Sequence, residues 1–131
     1  MTEFFIQTNK REELIDITAL IEEKVKGFNN GIAHIFVPHA TAGITINENA
    51  DPNLPVDITN FLNRLVPKGK WLHDRIDNNA DSHIKASIIG NSVSIPVKEG
   101  KLQLGTWQDI FLCEFDGPRR RKIIINVIQL K

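Results

Sequence analysis

The chain has 131 residues and balances sixteen basic against sixteen acidic side chains, so it is long enough to bury one core and formally neutral. Neutrality supplies no field to gather nucleic acid or an anionic membrane, and a single cysteine, Cys113, rules out an internal disulfide and suits a reducing compartment. No apolar run is long enough to span a bilayer and MTEFFIQTNKREE lacks the apolar centre of a signal peptide, so we expect a cytoplasmic domain with neither nucleic-acid nor membrane partners.

Residues 3–8, EFFIQT, read as a first strand. From Lys10 to Lys26, the residues Leu14, Ile15, Ile17, Leu20, Ile21 and Val25 recur at helical spacing. This predicts one amphipathic helix with Asn9 as N-cap and a stop at Gly27 to Gly31. Gly31 to Pro38 and Ala42 to Glu48 read as strands. The link between them is too short for a crossover helix, which predicts an antiparallel pair or one interrupted strand. Asp51-Pro52 opens a second helix over Val56 to Val66 that halts before Pro67. Trp71 to Asp81 is polar and reads as a loop. Ser82 then caps a short third helix, His83 to Ile89, ended by Gly90. Ser92 to Val97 is a strand and Lys98 to Lys101 a tight turn.

The closing stretch is LGTWQDIFLCEFDGPRRR, Leu104 to Arg121, followed by IIINVIQL. Asp116-Gly117-Pro118 between two strand-like runs predicts a hairpin. Alternation puts Trp107, Phe111, Cys113 and Phe115 on one face, and Gln108, Ile110, Leu112 and Glu114 on the other. Both faces carry apolar residues, so the strand should be covered on both sides, with Cys113 a buried, inert thiol. Polar groups inside such a strand must be paired or serve a site. The mixed order of elements predicts a single α+β domain over residues 1–131. It should have a largely antiparallel sheet or sandwich, two main helices and a short third.

His34, inside a strand, reads as a hydrogen-bonded core or interface residue. His39 shares parity with Thr41, Thr45 and Asn47, opposite the apolar Ala42, Ile44 and Ile46, which fits a site wall and a solvated face equally. His73 lies in a charged loop. His83 follows Asn79 by four residues, so the two share a side if helix starts early. None of these has zinc-motif spacing such as HExxH or paired CxxC, so any metal would draw ligands from distant segments. Asn47 and Glu48 sit between a strand and a helix, a usual place for functional loops. Arg119, Arg120 and Arg121 alternate on a strand, so neighbours cannot share a face. One of them either pairs with Glu114 or Asp116 or clamps an anion. With no phosphate-loop or dinucleotide glycine motif, phosphate would be held by side chains.

Three stretches stand in one order: His39-Ala-Thr-Ala-Gly-Ile-Thr-Ile-Asn-Glu48, His73 with Asn79-Ala-Asp-Ser-His83, and GTWQDIFLCEFDGPRRR. Together they resemble the YjbQ family, small proteins described as secondary thiamine-phosphate synthases, and the resemblance covers nearly the whole chain. It implies the same α+β class, a homotrimer, and a transferase joining a pyrimidine methyl diphosphate to a thiazole phosphate with release of diphosphate. His39, His73 and His83 fall on the family's motif histidines and His34 does not. The resemblance therefore implies a catalytic set of His39, His73, His83 and Glu48. Asn47, Asn79, Gln108, Arg119 and Arg121 would hold the phosphorylated small molecule. A divalent metal, magnesium or zinc, would be bound by His39, His73 and His83, with Glu48 and Asp116 as oxygen donors for a hard ion. The competing expectation is a non-enzymatic homotrimer that binds a small anion or metal.

Overall fold

The computed structural model describes residues 1–130. In chain order the elements are β1 (Thr2–Gln7), β2 (Glu13–Asp16), α1 (Thr18–Val25), β3 (Gly31–Phe36), β4 (Ala42–Asn47) and α2 (Asn53–Leu65). A 3-10 turn (Leu72–Arg75) follows, then α3 (Ala80–Ile89), β5 (Ser92–Lys98), β6 (Lys101–Leu102), β7 (Asp109–Glu114) and β8 (Arg120–Gln129). The strands form two antiparallel sheets, ordered β1-β8-β3-β5-β6 and β2-β7-β4. The α+β class and the antiparallel sandwich are as expected.

One core lies between the sheets. The larger sheet contributes Ala33, Ile35, Ile95, Val97, Ile123 and Ile125; the smaller contributes Ala42, Ile44, Ile110 and Leu112. Ile17, Ile21 and Val25 from α1 and its N-cap close it. A second cluster covers the other face of the smaller sheet, where Phe111, Cys113 and Phe115 meet Leu62 of α2 and Ala86 of α3. Strand β7 is therefore covered on both faces, as its alternation requires. Each large apolar side chain buried there contributes roughly 1.5–3 kcal/mol relative to exposure. Burial also pushes the Cys113 thiol up to about 12, which leaves it inert. Trp107 lies outside the strand and is exposed, contrary to the face assigned to it.

Three expectations are corrected. Lys10 to Lys26 is not one helix: residues 13–16 form β2, which pairs with β7 from Glu13–Glu114 to Asp16–Phe111. Glu13 Oε2 accepts the amides of Asn9 and Lys10, so Asn9 belongs to a turn and caps nothing. Asp16 instead accepts both the amide and the hydroxyl of Thr18 at the start of the shortened helix. Tertiary pairing with a strand buried on both faces overrides the helical period over residues 13–16.

The segments 31–38 and 42–48 neither pair nor continue each other, because β3 and β4 belong to different sheets. The closing hairpin is likewise absent. β7 and β8 lie in different sheets, and Asp116-Gly117-Pro118 carries the chain across the sandwich. The Gly117 amide donates to the Arg11 carbonyl at 2.9 Å, and a Cβ on Gly117 would stand 2.3 Å from the Lys10 carbonyl oxygen. That backbone crossing admits only glycine.

Candidate active site

Strand β3 leaves β8 at Phe36, opposite Ile124. Lys122 lies two residues further along β8, paired on its other edge with Phe5 of β1. On the side that β3 has vacated, the Lys122 amide would lack a partner, a costly state for a partly buried donor. His39 fills the place: its Nε2 accepts the Lys122 N–H at 2.8 Å. Burial, and then the nearby Arg121 guanidinium, hold the His39 imidazole below its ordinary value of 6.5.

His83 reaches the same place from α3. The helix starts at Ala80, so His83 is its fourth residue rather than its first, and Ser82 is no cap: its hydroxyl is buried and donates to the Phe115 carbonyl. The end of α3 presses on β4 at Gly43. The Ile44 amide donates to the Gly90 carbonyl at 3.0 Å, and a Cβ on Gly43 would come 2.7 Å from that same oxygen. This close approach brings His39 and His83 together on one small cleft of about 200 Å³, lined also by Ala40, Ala42, Ala86, Ser87 and Asn91. Neither ring nitrogen of His83 hydrogen-bonds within the described residues, and neither is sealed from solvent.

His73 joins edge-on, its ring centroid 4.8 Å from that of His83 at an interplanar angle of 84°. Beside it Asn79 Nδ2 donates to Asp116 Oδ2 at 2.8 Å, and Arg119 donates to the same carboxylate at 3.1 Å. Burial alone would raise Asp116, but these two partners outweigh it and hold the carboxyl below its usual range. His73 Nε2 and Asn79 Oδ1 are buried with no hydrogen-bond partner, and Asp77 Oδ2 stands 3.6 Å from the former. Such orphaned atoms each cost about 1–3 kcal/mol unless a water or ligand meets them.

The arginines divide as alternation demands. Arg120 lies over the Phe5 ring at 3.7 Å. Arg121 points inward, 3 % exposed, with its Nε donating to both Glu114 oxygens and its Nη2 donating to Glu114 and to the Thr41 hydroxyl. Its Nε and Nη2 donors are thus committed inside the protein, while Nη1 makes no hydrogen bond among the described residues. Arg121 is a structural partner of Glu114, with only its Nη1 edge left for the ligand contact the sequence assigns to it. Arg119 stays half-exposed at the histidine end.

Glu48, Asn47 and Gln108 do not join the histidines within one chain. They lie at the far end of β4 and the start of β7, and the six residues of extended strand from Ala42 to Asn47 span roughly 20 Å. There Asn47 Oδ1 accepts the Glu48 amide, and Gln108 Oε1 accepts the Gly105 amide at 2.8 Å, closing a turn. Among the described residues no three histidine, cysteine or acidic side chains are placed to hold a metal ion. The lone pair of His39 Nε2 is already engaged. The set His39, His73 and His83 therefore does not fit as the ligands of magnesium or zinc within one chain.

Ser87 and Asn91 were missed by sequence reasoning. Ser87 stands four residues after His83 on the same helix face, a spacing that would have found it. Asn91 follows Gly90 and is placed by the strand that begins beside it.

A family model described as UPF0047 protein YjbQ-like matches residues 2–130. The chain is 56% identical over 128 residues to a UPF0047 protein of Methanocaldococcus jannaschii, covering 94% of this chain and 90% of that one. It is 44% identical over 125 residues to the UPF0047 protein YugU of Bacillus subtilis, covering 94% and 95%. Its fold matches a crystal structure of an uncharacterized conserved protein of the same family from Clostridium acetobutylicum, with TM-score 0.93, 46% identity and 98% and 100% coverage. It also matches a YbjQ-like protein of unknown function from Sulfolobus solfataricus, with TM-score 0.94, 40% identity and 98% and 96% coverage.

Proposed function

We propose that this chain, which belongs to the YjbQ-like UPF0047 family, is an enzyme that binds the phosphate end of a small molecule in the His39–His83 cleft and moves a proton there. The observation that carries the reading is the convergence of two histidines from separate elements on one cleft, one of them with both ring nitrogens free. Imidazole exchanges protons near neutrality, and an unpartnered imidazole in a cleft is poised to do so. Arg119 supplies the exposed positive charge of that end, and its field reaches His39. A cleft of about 200 Å³ suits a phosphate-sized head rather than a whole drug-sized ligand, which takes roughly 300–1,000 Å³.

In its fullest form the reading is a thiamine-phosphate synthase type of transfer, joining a pyrimidine methyl diphosphate to a thiazole phosphate. Those substrates exceed the cleft of one chain, so the proposed homotrimer would supply the remaining wall. Among the described residues no helix is long and apolar enough to cross a membrane. The cytoplasmic setting belongs to this proposal. No step is assigned to a metal, because the described side chains do not fit one.

The test is titration of the protein with inorganic phosphate and with diphosphate, followed by amide and imidazole resonances. Shifts at His83 and Ser87 are expected. A separate assay supplying the pyrimidine methyl diphosphate and the thiazole phosphate should release diphosphate and form thiamine phosphate, which His83→Ala abolishes. Absence of any shift near the cleft would sink the reading. One observation favours a second reading, a non-enzymatic anion-binding homotrimer: Arg121, Glu114, Asp116 and Asn79 are tied into internal pairs. Anion binding without turnover of either substrate would select it.

A further inference from the structure

We propose that His39 is fixed in the Nδ1–H tautomer and offers that N–H to a phosphate oxygen in the cleft, so that His39 recognises the anion while His83 handles the proton. This rests on the reading of the cleft given above. The argument begins in β8. A neutral imidazole carries one N–H and one lone pair, on opposite sides of the ring. The partner of Nε2 is a backbone amide, Lys122 N at 2.8 Å, and an amide only donates. Nε2 must therefore hold the lone pair and Nδ1 the proton. Burial and the Arg121 charge oppose a second proton, which keeps the ring neutral.

The Nδ1 side is open. It makes no hydrogen bond within the described residues, yet it is not among their buried, unpartnered atoms, which are His73 Nε2 and Asn79 Oδ1. Solvent therefore reaches Nδ1 of a half-buried residue that lines the cleft. A donor held rigidly by its other nitrogen and left without an acceptor is preorganised for an oxygen, as second-partner orientation of imidazole generally achieves. The same arrangement excludes His39 as a general base, since its exposed nitrogen already carries a proton, and occupies the nitrogen a metal would need. His83, with neither nitrogen engaged, has no such restriction.

The experiment has two arms. Long-range 1H–15N spectra of the histidine-labelled protein near neutral pH should show His39 with a protonated Nδ1 and an unprotonated Nε2; the reverse pattern overturns the tautomer. Then diphosphate binding is compared in His39→Asn, whose amide nitrogen replaces Nδ1, and His39→Gln, whose amide nitrogen falls near Nε2. Asn should bind within about threefold of the unaltered protein and Gln about tenfold or more weaker, the scale of one hydrogen bond to a charged group. Equal or reversed loss in the two variants overturns the donor role. Diphosphate that moves His83 and Ser87 without moving the His39 Nδ1–H resonance overturns this inference and leaves the site standing. Diphosphate that moves none of them overturns both.

Discussion

Glu114 and Arg121 form an ion pair across the two sheets, Glu114 from the smaller and Arg121 from the larger, with Glu114 wholly buried and Arg121 3 % exposed. The pair spans the point where Asp116-Gly117-Pro118 carries the chain from one sheet to the other. Thr8 adds a hydroxyl to Glu114 at 2.7 Å and Thr41 accepts from Arg121, so the carboxylate and the Nε and Nη2 donors are met by protein groups.

Arg121→Met should destabilise the protein by about 3–5 kcal/mol, because it strands a buried carboxylate. Urea unfolding checks this. A loss below about 1 kcal/mol would mean that Arg121 is free to serve a ligand after all.

Gly43 sets how closely α3 approaches β4, and so where His83 stands. Gly43→Ala should cost about 1–3 kcal/mol by overpacking against the Gly90 carbonyl, which is backbone and cannot swing aside. It should also move the His83 resonances. Unchanged stability with unmoved resonances would show that the contact does not position the helix.

The His39 imidazole sits below its ordinary value of 6.5 in the folded chain, chiefly through burial and next through Arg121. As pH falls through that value, the unfolded chain takes up a proton that the folded chain resists. The folded state therefore loses stability on acidification, starting at about 6.5 and ending once the folded ring also titrates. Urea midpoints taken from about pH 7.5 down to about pH 5.5 should fall more steeply for the unaltered protein than for His39→Asn. Parallel curves would refute the assignment.

His83→Ala should abolish turnover and weaken diphosphate binding about tenfold while changing stability by less than about 1 kcal/mol, since the ring is only partly buried and makes no hydrogen bond. Unweakened binding with a loss of several kcal/mol would make His83 a packing residue.

Light scattering at about micromolar concentration should return a trimer. The apolar faces of residues 107–115 no longer argue for it, because two internal clusters cover β7. The remaining motives are the family resemblance and the exposed Phe61 and Leu65 of α2, with Leu72 and Ile76 beyond it. A monomer would remove the proposal that neighbouring subunits complete the site.

The sequence determined what depends on near neighbours along the chain. Alternation placed Ile110 and Leu112 against one core and Phe111, Cys113 and Phe115 against another, and it separated Arg120 from Arg121. Apolar spacing with proline and glycine stops located α2 and most of α3. The histidines of the site were named as well, through motifs that a family resemblance supplied rather than through their spacing. Only the tertiary structure decided which strands are partners. The runs at 31–36 and 42–47, and at 109–114 and 120–129, look like hairpins because strand period and turn residues are local signals, identical whether a chain folds back on its sheet or crosses to another. The crossing is selected by remote groups: the Lys10 and Arg11 carbonyls at Gly117, and Thr8 and Thr41 around the Glu114–Arg121 pair. The same remoteness separates Glu48 from the histidines and gives His39 its amide partner, since β3 ends where it does only because two sheets share one core.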